Sequence, residues 1–198
     1  MNPLSRLLAL PPSEKQTRGL LYTPAEIAQQ PATWQTTYRL FEGLRSELRR
    51  FLQPAHAERW TIYLVGAGTS DYIGHSIANL LRRQWGCEVS AIASTDLLTN
   101  RDDLVIADRD YLWVSFSRSG DSPEGVAVLE QALASCPKVR HLIVSCNKNG
   151  RMVKLAQENS NCFAMLLDDA VNDRSLAMTS SFTNMVVIGQ QLAHLWDH

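Results

Sequence analysis

The chain has 198 residues, 45% of them apolar and 20% charged, with a formal net charge of −1, the make-up of one globular domain with an elaboration. That balance supplies no basic field for nucleic acid or an anionic membrane, and no apolar run nears the ~20 residues that span a bilayer. An anionic substrate therefore has to be held by local donors rather than by bulk charge.

Residues 1–22 show no periodicity and read as an irregular lead-in. The apolar stretch ending at Leu10 is short and cut by Pro11 and Pro12, unlike a signal peptide. Thr23-Pro24-Ala25-Glu26 has the cap, the first-turn proline and the acid of a helix start, with a stop expected at Pro31. A longer helix should follow, with Trp34, Tyr38, Phe41, Leu48 and Leu52 as one apolar stripe. Arg39, Glu42, Arg45, Glu47, Arg49 and Arg50 would form its solvated face. We read 1–55 as an N-terminal segment with helices and 56–198 as the main domain.

From residue 61 strands and helices alternate. Strands are expected at 62–66, 87–93, 111–117, 140–146 and 161–167. Helices are expected at about 70–84, 122–135 and 150–158, with a loop or short helix near 95–100 and a last helix from about 179. Ile73, Ile77, Leu80 and Leu81 line one side of the first helix, and Val126, Leu129 and Leu133 line the second. Near-continuous apolar strands such as Leu142-Ile143-Val144 imply a buried parallel sheet with right-handed crossovers. The fold class is α/β, a three-layer doubly wound five-stranded parallel sheet of order 2-1-3-4-5 with N-terminal helices. Cys87, Cys136, Cys146 and Cys162 lack Cys-x-x-Cys spacing and read as reduced thiols of a cytoplasmic protein.

The organising stretch is Thr61–Ser70, where an apolar run empties into Gly66-Ala67-Gly68-Thr69-Ser70 and a helix begins at once. Strand, glycine-rich turn and helix N-terminus in that order hold anions with backbone N–H donors. The pattern recurs where Leu112–Phe116 runs into Ser117-Arg118-Ser119-Gly120-Asp121-Ser122. In the 2-1-3-4-5 order these loops follow neighbouring strands whose chains leave in opposite directions, so they form the two lips of the ligand crevice. Either loop alone could merely cap a helix or make a tight turn. Both together at the switch point indicate a neutral, hydroxyl-rich donor set suited to a phosphate and sugar hydroxyls. A dinucleotide fits less well, because Asp71 stands at the third glycine position although Asp96 follows strand two. No Gly-Lys-Ser/Thr follows either loop.

Acid–base candidates near the crevice are Asp71, His75, Asp121 and Glu124. Asp71 and Glu124 sit in first helical turns, where the dipole alone explains an acid, and His75 reads as a packing residue. His194 and His198 are four apart, but without a following Glu and at the chain end they read as no metal pair. No catalytic constellation is evident.

The two loops together resemble the signature of the sugar isomerase (SIS) domain family. Glu26–Pro31, Ser94–Asn100 and Asp173–Ser181 resemble its tagatose-6-phosphate ketose/aldose isomerase and galactosamine-6-phosphate deaminase group, over roughly residues 23–196. The resemblance implies that Gly68, Thr69 and Ser70 meet the sugar or its phosphate. It implies a main cradle of Ser117, Arg118, Ser119, Gly120 and Ser122, and a further sugar contact around Thr179 and Ser180. It also implies the flavodoxin-like SIS fold, no metal or organic cofactor, a sugar-phosphate ligand and homo-oligomers. Members of this group pair two such domains, with the catalytic Glu and ring-opening His on the second. This chain reaches His198 at the close of one domain's last helix. A sugar-phosphate-sensing module, or a half-enzyme working with a second domain, is therefore the alternative to an isomerase or deaminase. Residues 1–55 carry no helix-turn-helix pattern of a DNA-binding regulator.

Overall fold

The apolar runs become five parallel strands: β1 (Thr61–Gly66), β2 (Val89–Ala93), β3 (Tyr111–Ser117), β4 (Val139–Ser145) and β5 (Cys162–Leu166). A computed structural model describes residues 2–197 and orders them β2-β1-β3-β4-β5, the order expected. β1 and β3 are buried along their whole length, which is why their sequences run apolar instead of alternating. The register sets Leu64 beside Val114 and Ser117 beside Ser145.

Short helices open the chain: α1 (Pro3–Leu8), α2 (Pro12–Thr17) and α3 (Thr23–Ala28), followed by the long α4 (Gln30–Ala57). The lead-in is thus not irregular. Asn2 caps α1 by accepting from the Ser5 N–H at 2.8 Å, and a proline sits in the first turn of both α1 and α2. These local start signals act where periodicity is too short to register. In α3, Tyr22 rather than Thr23 takes the cap position, with Pro24 in the first turn.

The stripe on α4 also differs from expectation. Phe41, Leu48, Leu52 and Ala55 are buried together with Thr33 and Thr37, while Trp34 and Tyr38 stand at 39% and 47% exposure. The two threonines are core residues because Asn184 lies opposite: Thr37 Oγ1 donates to Asn184 Oδ1 at 2.6 Å, and Asn184 Nδ2 donates to Thr33 Oγ1 at 2.9 Å. A satisfied polar cluster replaced the apolar stripe at that end. Arg45 and Arg49 leave the solvated face as well, donating to the Leu195 carbonyl at 3.1 and 2.8 Å.

Helices α5 (Thr69–Trp85) and α10 (Ser180–Ala193) join α4 on one face of the sheet. Helices α6 (Ser94–Thr99), α7 (Arg101–Leu104), α8 (Pro123–Ser135) and α9 (Arg151–Glu158) complete the chain. Phe41, Ile73, Ile77, Met185 and Ile188 share one core with Leu64, Leu112 and Val144. On the opposite face, Leu97 of α6 and Val128 of α8 pack on Tyr63 and Trp113, and Met152 of α9 packs beside Ile143. The result is three layers. Because α5 and α8 lie on opposite faces, the chain leaves β1 and β3 in opposite directions, which opens the crevice at their carboxyl ends.

Candidate functional site

The first lip is built by close approach. A Cβ on Gly66 would lie 2.4 Å from the Ser70 carbonyl carbon, so only glycine lets α5 start directly on the end of β1. Gly68 takes φ +54 at the helix cap, leaving Thr69 exposed and Ser70 buried, its Oγ 3.7 Å from Met178 Sδ.

The second lip is a nest of serine-supported turns. Ser117 Oγ accepts from the Gly120 N–H at 3.1 Å, and Ser119 Oγ accepts from the Asp121 N–H at 3.2 Å. Ser122 Oγ caps α8 by accepting from the Gly125 N–H at 3.3 Å. Each hydroxyl oxygen is fixed as an acceptor, and its hydrogen is then the group a phosphate oxygen would take. Gly120 turns the loop at φ +66.

A third segment, after β4, supports this loop and was not anticipated. Asn147 Nδ2 donates to the Ser119 carbonyl at 2.8 Å, and the Cys146 N–H donates to the Arg118 carbonyl at 3.1 Å. A Cβ on Gly150 would come within 2.7 Å of the Ser119 carbonyl oxygen. The Ser145-Cys146-Asn147 and Gly150 positions held a signal, since they follow the strand next to β3. Their role, however, depends on the register that sets Ser145 beside Ser117.

A strap over residues 173–179 crosses from β5 to α10 and touches both lips. Arg118 Nη1 donates to the Ser175 carbonyl at 3.0 Å, and Met178 meets Ser70. Asp173 anchors the strap. Its carboxylate accepts from the N–H groups of Thr179, Ser180 and Ser181 at 2.8, 3.1 and 2.9 Å, and from Ser181 Oγ at 2.5 Å. Thr179 and Ser180, the residues expected near the sugar, both have partners within the chain. Thr179 is held by Asp173. Ser180 is fully buried, with its hydroxyl donating to the Glu26 carbonyl at 2.6 Å and accepting from Gln29 Nε2 at 2.9 Å.

The carboxyl groups near the crevice are mostly engaged. Asp121 Oδ1 accepts from the Arg151 N–H at 2.7 Å, so it caps α9. Asp71 Oδ2 lies 3.3 Å from His75 Nε2, while Asp71 Oδ1 is buried with no partner among the described residues. His75 is largely exposed rather than packed. Glu124 occupies the first turn of α8 as expected. His194 pairs with Asp197 at 2.7 Å, and His198 lies outside the described residues.

Beside Thr69 an open hollow of about 730 Å³ is lined by Leu21, Tyr22, Arg174, Ser175 and Leu176. The guanidinium of Arg174 sits 6.0 Å over the Tyr22 ring, and Leu176 is 97% exposed at the rim. Another cavity, of about 150 Å³, lies near Ser135 and Val139 at the amino end of β4 and has no link to the loops.

Residues 56–195 match the sequence model of the SIS domain. The chain belongs to the SIS domain family. The chain is 41% identical to the D-galactosamine-6-phosphate deaminase AgaS of Escherichia coli over 166 residues, which is 83% of this chain and 43% of that protein. It is 34% identical to the AgaS protein of a Shewanella species, covering 84% of this chain and 44% of that one. The crystal structure of tagatose-6-phosphate ketose/aldose isomerase from Escherichia coli superimposes with a TM-score of 0.80 at 41% identity, over 83% of this chain and 45% of that chain. The matched part of the chain thus spans less than half the length of these relatives.

Proposed function

We propose that this SIS domain binds a hexose or hexosamine 6-phosphate, of the galactosamine or tagatose type, for an aldose–ketose isomerase or amino-sugar-phosphate deaminase. The observation that carries the reading is the meeting of the two lips at the switch point, where Ser117, Ser119 and Ser122 are already oriented by loop N–H groups. A phosphate there takes their hydroxyl hydrogens and the Arg118 guanidinium. Thr69 and Ser70 face the sugar, and the hollow beside Thr69 is the room for its far end. Gly68 and Gly120 keep side chains away from the ligand. Hydroxyls, loop N–H groups and one guanidinium are donors suited to a phosphate. The four free cysteines, two of them buried, support a cytoplasmic setting.

The engagement of Asp121, Asp173 and Glu26 in structural hydrogen bonds supports a second reading. In it, this domain binds and a second SIS domain, in the same or another chain, brings the base and acid. The exposed Leu176 at the rim and Tyr38 on α4 fit association with such a domain, including a second copy of this one. Sedimentation should then show a dimer or larger, and Leu176→Glu with Tyr38→Glu should shift it to monomer. A wild-type monomer would end the homo-oligomer reading.

Binding is tested by thermal melting. At about a hundredfold excess over Kd, galactosamine 6-phosphate should add about 2.7 kcal/mol, or roughly 5–10 °C for a chain this long. Ser117→Ala with Ser119→Ala should abolish the shift. Equal stabilisation by galactosamine itself would refute the phosphate cradle. Turnover of galactosamine 6-phosphate or tagatose 6-phosphate in a coupled assay separates enzyme from sensor.

A further inference from the structure

Two segments singled out in the sequence, Glu26–Pro31 and Asp173–Ser181, have no place in the cradle itself, yet the fold knits them together across 148 residues. Glu26 is 8% exposed. Its Oε1 accepts from the Arg174 N–H at 2.6 Å and from the Ser175 N–H at 3.2 Å, and its Oε2 faces Ser175 Oγ. Ser175 is therefore held at its N–H and its hydroxyl from one side. On its other side its carbonyl accepts from Arg118 Nη1 at 3.0 Å. The chain of contacts runs from Glu26 through Ser175 to the guanidinium of Arg118, a residue of the 117–122 loop.

We propose that Glu26 is a positioning residue for the sugar-phosphate site, setting the Arg118 guanidinium through Ser175. The inference rests on the reading of 117–122 as a phosphate cradle. An arginine has several rotatable bonds, and freezing one such side chain on binding costs affinity that a pre-set guanidinium does not lose. Ser175 uses one of its five N–H donors, and the others remain to meet an anion. Glu26 thereby tunes affinity without touching the ligand. A carboxylate that merely fastened α3 would need neither of its oxygens on Ser175.

Calorimetric titration of galactosamine 6-phosphate, and of inorganic phosphate, into single and double variants tests this. Glu26→Ala should weaken both about three- to tenfold, and Arg118→Ala should weaken them at least as much. The double variant should bind no more weakly than Arg118→Ala alone, because the two residues act in series. Glu26→Gln should stay within about twofold of wild type. Its Oε1 still accepts both N–H groups, and its Nε2 can donate to Ser175 Oγ while that hydroxyl turns to the Ala177 carbonyl at 2.8 Å. Where Glu26→Ala does not fold, Glu26→Asp, whose carboxylate is drawn back by one methylene, takes its place in the cycle. Additive losses, or a Glu26→Gln loss as large as that of Glu26→Ala, overturn the proposal. Phosphate binding that ignores Arg118→Ala overturns it too while leaving the cradle standing. A wild-type chain that binds neither ligand removes the parent reading instead.

Discussion

Asp173→Ala is expected to destabilise the protein by about 3–5 kcal/mol, among the largest effects available to one substitution here. Asp173 is 5% exposed, and its two oxygens take the first backbone N–H groups of α10 together with two hydroxyls. Alanine removes hydrogen bonds to a charged acceptor and strands buried donors, each costing about 1–3 kcal/mol. It also removes a negative group from the positive end of the α10 dipole. Ser180 and Ser181 are fully buried, so water cannot step in. Urea unfolding measures the loss, and hydrogen exchange at Thr179–Ser181 should accelerate ahead of the rest of α10. A loss under about 1 kcal/mol would show that the cap is replaceable.

Acid should weaken the fold through His141. This residue is fully buried in β4, both ring nitrogens lack a partner among the described residues, and the Trp113 ring meets it edge-on at 5.6 Å. Burial pushes its pKa down from 6.5 to about 4. The folded form therefore keeps the imidazole neutral while the unfolded chain protonates it near 6.5. Its full contribution is present above that value and is lost as pH falls toward 4, at about 1.4 kcal/mol per pH unit. Between pH 7 and pH 4.5 the loss should reach about 2.4 kcal/mol. His141→Leu should melt no lower than wild type at pH 8, since two unsatisfied buried atoms go with the ring, and its acid limb should be shallower by about that amount. His56, whose pKa burial also lowers, titrates in both proteins and cancels. Parallel acid limbs in the two proteins would rule out His141 as the source.

The sheet was legible because its signals are local and redundant. Five apolar runs with short joints allow one economical parallel order, and β1 through β5 fall within about two residues of their expected bounds. The lips were legible for the same reason: glycine and serine are demanded by the turn itself, as at Gly66 and Gly120. Asp173 and Glu26 were seen only as parts of motifs. Glu26 meets Arg174 across 148 residues, which no periodicity encodes, and Asp173 meets Ser181 eight residues on, further than the three-residue reach of a capping pattern. The misreading of α4 has the same root. Trp34 and Tyr38 look like core by side-chain type, and Thr33 and Thr37 become core only because Asn184 arrives to satisfy them.

That pairing of α4 with α10 has a consequence for how the protein is made. Thr37 and Asn184 are 147 residues apart, so at ribosomal speeds the apolar side of α4 leaves the exit tunnel roughly 7–30 s before the helix that covers it exists. Phe41, Leu48 and Leu52, all fully buried in the finished protein, spend that interval without their final neighbours. The nascent chain thus presents a sticky amphipathic helix from early in its synthesis, and only the last helix ends its need for shelter.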